Sequence, residues 1–134
     1  MTGDVSIQNK TKGKLPNLPF LAIKNDILGK AYTLSIAFVT PPQSRRINRT
    51  YRGKDKPTNI LSFPLTKDSG ELILCPSVIK KEAPDFDRTF RDFMLFLTIH
   101  GLLHLKGLDH GKKMENLEKK YEVKYTTHTK IKNK

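Results

Sequence analysis

Three of the chain's four histidines lie within the eleven residues HGLLHLKGLDH, from His100 to His110. On a helix, residues four apart share a side with their Cβ atoms about 5–6 Å apart, so His100 and His104 can present two imidazoles to one small ion. Gly107 lets the chain leave the helix and turn, which would bring His110 back to the same point. Three nitrogen ligands leave one tetrahedral position open, as in catalytic zinc sites. The spacing therefore predicts a metal site for one Zn²⁺, although nickel, copper or iron also accept imidazole ligands.

The spacing HxxxHxxGxxH is that of the metzincin peptidases, whose glutamate directly follows the first histidine and takes a proton from water. This chain has Gly101 at that position, which has no side chain to act as the base. A peptidase mechanism is therefore disfavoured. A metal ion still lowers the pKa of a bound water from about 15.7 to about 7 without a separate base. What remains of the site suits a substrate that carries its own charge.

Asp109 is the one acidic residue inside the motif, and two interpretations of it stay open. As a catalytic residue, it would orient a ligand imidazole or act on the water at the metal. As a structural residue, it would only stabilise the turn, because an aspartate after a helix-breaking glycine is common there.

A second group of chemically active residues lies in INRTYRGKDKPTNILSFP, at 47–64, where four basic residues flank the end of a short helix. A guanidinium beside a hydrolytic metal can hold a phosphate with two hydrogen bonds and stabilise its developing charge. Arg52 is the candidate for this role, although the sequence alone does not fix which way it faces. Arg49 and Lys56 are expected to be solvated.

Several other reactive or aromatic residues are expected to serve packing. Cys75 ends an apolar strand and is predicted to be a buried small hydrophobe rather than a nucleophile. Ser62 lies within a strand pattern and lacks a nucleophile elbow. A further set is predicted to form core rather than platforms for bases: Phe90, Phe93, Met94 and Phe96.

The composition favours a partner with negative charge. The chain has 134 residues, with 25 Lys and Arg against 13 Asp and Glu, so its net charge is 25 − 13 = +12. Such a charge favours nucleic acid or an anionic membrane surface. The longest apolar run, FMLFLTI at 93–99, is far shorter than the roughly 20 residues of a membrane span. The N-terminal stretch lacks the apolar region of a secretory signal and one cysteine forms no internal disulfide, so a cytoplasmic location is expected.

The pattern of apolar residues predicts a single α+β domain over 1–134, with 126–134 as a flexible basic tail. Strands are expected at 5–7, 32–39, 59–65 and 71–75, the last two as neighbours, and helices at about 19–28, 43–51, 87–105 and from Met114 to Tyr121. On the long helix, Phe93, Leu97, His100 and His104 share one face. The fold predicted is a small mixed sheet packed with helices, with a metal cleft formed by the long helix and the turn after it.

Three motifs together resemble the YbeY family of bacterial endoribonucleases and ribosomal RNA maturation factors. They are N-x-x-Y-R-G-K-D-x-P-T-N-x-L-S-F-P at 48–64, GELILC at 70–75 and HGLLHLKGLDH at 100–110. The resemblance runs from about Ala31 to Tyr121 and includes Met114 and Glu118 after the histidine motif.

The resemblance implies a single-strand-specific, zinc-dependent endoribonuclease. Its expected roles are the maturation of the 3′ end of small-subunit ribosomal RNA and ribosome quality control. The zinc ligands of the family fall on His100, His104 and His110, and its functional arginine falls on Arg52. The expected partners are single-stranded RNA, ribosomal RNA and the small ribosomal subunit, with no membrane and no DNA. The alternative is a ribosome-assembly factor that binds RNA without cleaving it and whose metal is structural.

Overall fold

The computed structural model describes the backbone of residues 3–132 and the side chains of residues 3–126. The described elements, in chain order, are β1 (Val5–Asn9), α1 (Phe20–Leu28), β2 (Thr33–Phe38), α2 (Pro41–Arg52), β3 (Ile60–Thr66), β4 (Ser69–Leu74), α3 (Pro76–Glu82), a 3-10 turn (Ala83–Phe86), α4 (Phe90–Leu105) and α5 (Lys112–Lys132). The predicted α+β class is therefore confirmed.

The four described strands form one mixed sheet in the order β1-β2-β4-β3. β2 runs parallel to β1 and to β4, while β3 and β4 form an antiparallel pair, as their spacing predicted. Ile36 pairs with Leu72 and Phe38 pairs with Leu74, which places alternate apolar residues of the two strands on one buried face.

Helix α4 is the central helix of the fold and packs against α1, α3, α5 and the β3 and β4 strands. Nine of its sixteen residues are buried, because it is surrounded by other elements instead of lying on the surface. Its buried side chains belong to the same core as the apolar face of β2 and β4. This packing fixes the end of α4, and with it the first two histidines of the motif.

Two elements differ from the sequence-based expectation. Pro41 and Pro42 were predicted to be loop, yet they form the first turn of α2, where a missing backbone N–H costs no hydrogen bond. The Gln43 side chain accepts from the Thr40 backbone N–H at 3.1 Å and so caps that start. Helix α3 was not predicted, although Pro76 begins it in the same way.

The end of the chain was predicted to be a flexible tail from 126. The backbone continues as helix α5 to Lys132. Residues 133 and 134, and the side chains from 127 onward, lie outside the described residues, so the expected flexibility stays a prediction.

None of the helices in the described part of the chain is both long enough and apolar enough to cross a membrane.

Candidate metal centre

The three histidines of the motif meet at one point. His100 and His104 lie on the last turns of α4, and His110 follows the turn after it. Gly107 has a φ of +103°, a left-handed conformation that glycine adopts without strain, and it turns the chain back. One ligand nitrogen from each histidine lies within 4.8 Å of the others. The cleft predicted at the end of the long helix is thus built from these elements.

Two of the imidazoles are held by hydrogen bonds on their Nδ1 sides. His100 Nδ1 lies 2.6 Å from a Glu118 carboxylate oxygen, and His104 Nδ1 lies 3.1 Å from the Leu108 carbonyl oxygen. Carboxylate and carbonyl oxygens only accept, so both Nδ1 atoms carry the hydrogen and donate it. In the neutral imidazoles, both Nε2 atoms are then left with free lone pairs.

The two Nε2 atoms of His100 and His104 face each other at 3.0 Å. Two bare lone pairs at that distance repel, so a cation beside both nitrogens would stabilise the arrangement. Two nitrogen ligands of a tetrahedral zinc lie about 3.3 Å apart, given Zn–N bonds of about 2.0–2.1 Å. The His100–His104 pair is close to this spacing, and with His110 the three imidazoles form a donor set that could hold one small metal ion.

Burial keeps His104 available as a ligand. Desolvation, followed by the neighbouring His100, lowers the pKa of His104 below its usual value of 6.5. A lowered histidine pKa favours the neutral ring, and only a neutral ring nitrogen binds a metal. His104 therefore stays neutral to a lower pH than a solvated histidine does.

Glu118 is the site residue that the residue chemistry of the sequence did not single out. It lies on α5, is only 9% exposed, and reaches the His100 ring across the helix interface. A buried acid spaced for the apolar face of a helix is a weak signal, and only the tertiary contact reveals its role. Carboxylate partners of this kind orient a ligand histidine and increase its basicity.

A Glu118→Gln substitution is expected to weaken metal binding about 10- to 100-fold, because the ring of His100 loses its charged acceptor. Titration of the chelated protein with zinc, against a competing chromophoric chelator, measures the change. Asp85→Asn is the control, since it removes the same charge from an exposed residue that lines neither cavity. Equal zinc affinity in the Glu118→Gln and wild-type proteins would contradict this role.

Two cavities flank the histidine cluster. A cavity of about 530 Å³ is lined by His100, His104 and His110 together with Arg52, and one of about 300 Å³ is lined by His100, His110 and Glu118. His100 and His110 line both, so the two cavities adjoin at the cluster. The histidine cluster therefore borders open space in both cavities.

The end of α2 and the segment after it carry Arg52 to the larger cavity. Gly53 ends the helix in a left-handed conformation. Asn48, buried in α2, donates to the Lys56 carbonyl at 2.9 Å, and the Ser44 hydroxyl donates to the Thr58 carbonyl at 2.9 Å. These bonds tie the segment to α2, which explains why asparagine stands at the start of the motif.

Arg52 differs from Arg45 and Arg49 of α2, which both have an acidic partner. Arg45 makes two hydrogen bonds to Asp55, at 2.7 and 3.0 Å, and Arg49 lies 3.7 Å from the same carboxylate. Arg52 is exposed, and no acidic side chain within residues 3–126 pairs with it. Its guanidinium thus remains available to an anion in the cavity.

The fold does not place Asp109 beside the other candidate site residues. Its side chain is exposed and lines neither of the two cavities. This position fits the interpretation of Asp109 as a turn residue.

Gly101 lies at a close contact between α4 and the strands β3 and β4. A Cβ atom there would lie 2.8 Å from both Ile60 Cδ1 and Leu72 Cδ2, and 3.0 Å from Ser62 Oγ. The position that holds the base in metzincins therefore faces the sheet in this chain. Ser62 in turn donates to the Gly101 carbonyl at 3.4 Å, in keeping with a packing role.

A Gly101→Glu substitution is expected to reduce the free energy of unfolding by about 3 kcal/mol, because it forces an unpaired carboxylate between helix and sheet. Gly101→Ala should cost less, since the atoms it meets are the ends of side chains. Urea unfolding followed by circular dichroism measures both. Gly13→Glu is the control, because a Cβ at Gly13 meets nothing within 4 Å. A stable Gly101→Glu protein would contradict this packing.

The remaining packing predictions agree with the structure. Cys75 is buried, 1% exposed, and burial raises the pKa of its thiol, which makes it a poor nucleophile. Phe93 and Met94 are buried in the core, and Phe90 and Phe96 pack against it.

Comparison with known proteins gives one consistent family. A family model described as Endoribonuclease YbeY matches residues 5–129. A relative from Thermotoga maritima, named Endoribonuclease YbeY, is 35% identical over 96 residues, which is 66% of this chain and 64% of the relative. One of the same name from Pseudoalteromonas translucida is 39% identical over 98 residues, covering 64% of each chain. The chain thus spans 64% of the length of these curated relatives.

A solved structure agrees with this grouping. The solution structure of TM1509 from Thermotoga maritima superposes with a TM-score of 0.69 at 28% identity, covering 96% of this chain and 93% of that one.

Proposed function

Since the chain belongs to the YbeY family of endoribonucleases, we propose that it is a metal-dependent endoribonuclease that cleaves single-stranded RNA. One observation carries the proposal: three imidazoles converge beside two cavities, and Arg52, which has no acidic partner within residues 3–126, lines one of them. A phosphodiester is the substrate group that matches a metal and a guanidinium together. The net charge of +12 adds a general attraction for RNA.

The two adjoining cavities support cleavage within an RNA strand rather than at its end. Because His100 and His110 line both cavities, a strand bound in one can continue past the histidines into the other. A site closed on one side would accept only the end of a strand. An endonuclease needs the open arrangement.

We assign distinct tasks to the residues of the site. His100, His104 and His110 hold the metal, which we propose to be zinc because it favours three neutral nitrogens with a fourth position open. When bound, the ion would supply Lewis acidity and water of lowered pKa. Glu118 and the Leu108 carbonyl fix the rings of His100 and His104. Arg52 binds a phosphate oxygen of the substrate and stabilises the charge that develops on it.

The finer proposal is that the substrate is ribosomal RNA. We propose that the protein matures the 3′ end of small-subunit ribosomal RNA, associates with that subunit and contributes to ribosome quality control, which implies a cytoplasmic location. The proposal is supported by the resemblance of the motifs at 48–64 and 100–110 to those of a family of ribosomal RNA maturation factors, together with the net positive charge.

A cleavage assay tests the proposal. Zinc-loaded protein should cut a fluorescent single-stranded RNA that carries the 3′ end of small-subunit ribosomal RNA, and should leave the matched duplex and the DNA version intact. Chelation should stop cleavage but leave the circular dichroism spectrum unchanged, because α4, which carries two of the ligands, is held by the apolar core. Loss of the fold on chelation, without cleavage by the loaded protein, would instead favour an RNA-binding assembly factor with a structural metal.

A further inference from the structure

Tyr51 lines the larger cavity, but none of the roles proposed for the metal site requires its aromatic ring. It is 69% exposed, more than any other large hydrophobic residue within 3–126. It lines the same cavity of about 530 Å³ as Arg52 and the three histidines. Its exposure and its position in this cavity leave the aromatic ring free to stack on a ligand.

Phe63 braces Tyr51 from the neighbouring strand. The two ring centroids lie 5.2 Å apart with an interplanar angle of 61°, an edge-to-face contact between α2 and β3. Such contacts contribute about 0.5–1.5 kcal/mol beyond burial, so they restrict the orientation of the tyrosine ring. The contact covers only part of Tyr51, and most of its ring remains accessible.

The surroundings of Tyr51 specify the chemistry of the ligand. An accessible ring binds a flat π system, and the next residue, Arg52, binds an anion. Both line one cavity, whose volume is in the range of pockets that hold small molecules. A single nucleotide combines a flat base with a phosphate, and so it offers one group to each of these two side chains.

We propose that Tyr51, braced by Phe63, is a base-stacking subsite for the RNA substrate in the larger cavity. The inference rests on the proposed cleavage of RNA and adds to it a determinant of strand selection. A base within a duplex is covered on both faces by its neighbours, whereas an unpaired base can lie on a side chain. Tyr51 therefore selects single-stranded substrate by accepting one unstacked base next to the phosphate that Arg52 binds.

A binding experiment tests this subsite separately from cleavage. A His104→Ala background prevents cleavage, and fluorescence anisotropy then measures the Kd of a short labelled single-stranded RNA. Adding Tyr51→Leu, which removes the ring but keeps an apolar side chain, should weaken binding about 5- to 150-fold. Tyr51→Phe should restore the parent Kd. Leu65→Ala is the control, because Leu65 is 61% exposed on the same strand as Phe63 but does not line the cavity.

An abasic scan identifies the base that stacks. Replacing each nucleotide in turn by an abasic one should weaken binding most at one position, and at that position Tyr51→Leu should add no further loss. Unchanged affinity of the Tyr51→Leu protein, or full additivity at every position, would overturn the proposal. If zinc-loaded wild-type protein fails to cut RNA but Tyr51→Leu still weakens RNA binding, the proposed function is wrong and the base-stacking subsite is supported.

Discussion

A His104→Ala protein is expected to lose both its metal and its cleavage of RNA. His104 contributes one of the two Nε2 atoms that face each other at 3.0 Å, so its removal leaves two ligands. Loss of a direct ligand should weaken zinc binding by more than the roughly 10- to 100-fold typical of an outer partner. Metal catalysis contributes several kcal/mol, so cleavage should fall by about 10³-fold or more. Zinc analysis of the purified protein and the single-stranded RNA assay measure the two effects.

Two further variants make this result specific. His110→Ala should give the same losses without a folding cost, because His110 is exposed. His128→Ala is the matched control, since His128 is the one histidine of the chain outside the motif. Full cleavage by a His104→Ala or His110→Ala protein that holds no zinc would exclude a metal-dependent mechanism.

An Arg52→Ala protein is expected to bind zinc normally and to cleave RNA about 10²- to 10³-fold more slowly. Removal of a single donor that stabilises developing charge has an effect of this size. Arg52 is exposed and has no acidic partner within 3–126, so its loss should not reduce the free energy of unfolding. Single-turnover cleavage, zinc titration and urea unfolding together measure the three quantities.

The controls for Arg52 separate a directed contact from general charge. Arg52→Lys keeps the charge but loses the planar pair of donors, so it should restore only part of the rate. Arg46→Ala removes the same charge from an exposed position on α2 that does not line the histidine cavity, so the cleavage rate should stay near that of the wild type. Equal losses of cleavage rate in the Arg46→Ala and Arg52→Ala proteins would show that Arg52 contributes only net charge.

The sequence was most informative where the chemistry is local. The four-residue spacing of His100 and His104 sets their common face on any helix, and Gly107 sets the turn that returns His110. The class of the fold and most helices and strands also followed from patterns within short windows. The start of α2 was misplaced because Pro41 and Pro42 were predicted to form a loop, whereas proline also begins helices, and Pro76 begins α3, which was not predicted, in the same way.

The tertiary structure decided everything that joins distant segments. The sheet order β1-β2-β4-β3 with two parallel pairs depends on packing between elements, which no short window of sequence encodes. The same packing brings Glu118 of α5 to His100, and Arg52 and Tyr51 of α2 to the histidine cavity.

By itself, then, the sequence determined which residues can hold a metal, because helical periodicity and a glycine turn act over a few residues. Only the tertiary structure decided what surrounds them. The sequence marked Gly101 only as the absence of a base, whereas the structure shows that it lies at a close contact between helix and sheet. The tertiary structure also left Asp109 exposed and outside both cavities, and it placed the histidine cluster beside two cavities. The physical reason is that burial and the formation of cavities depend on contacts between residues far apart in the chain.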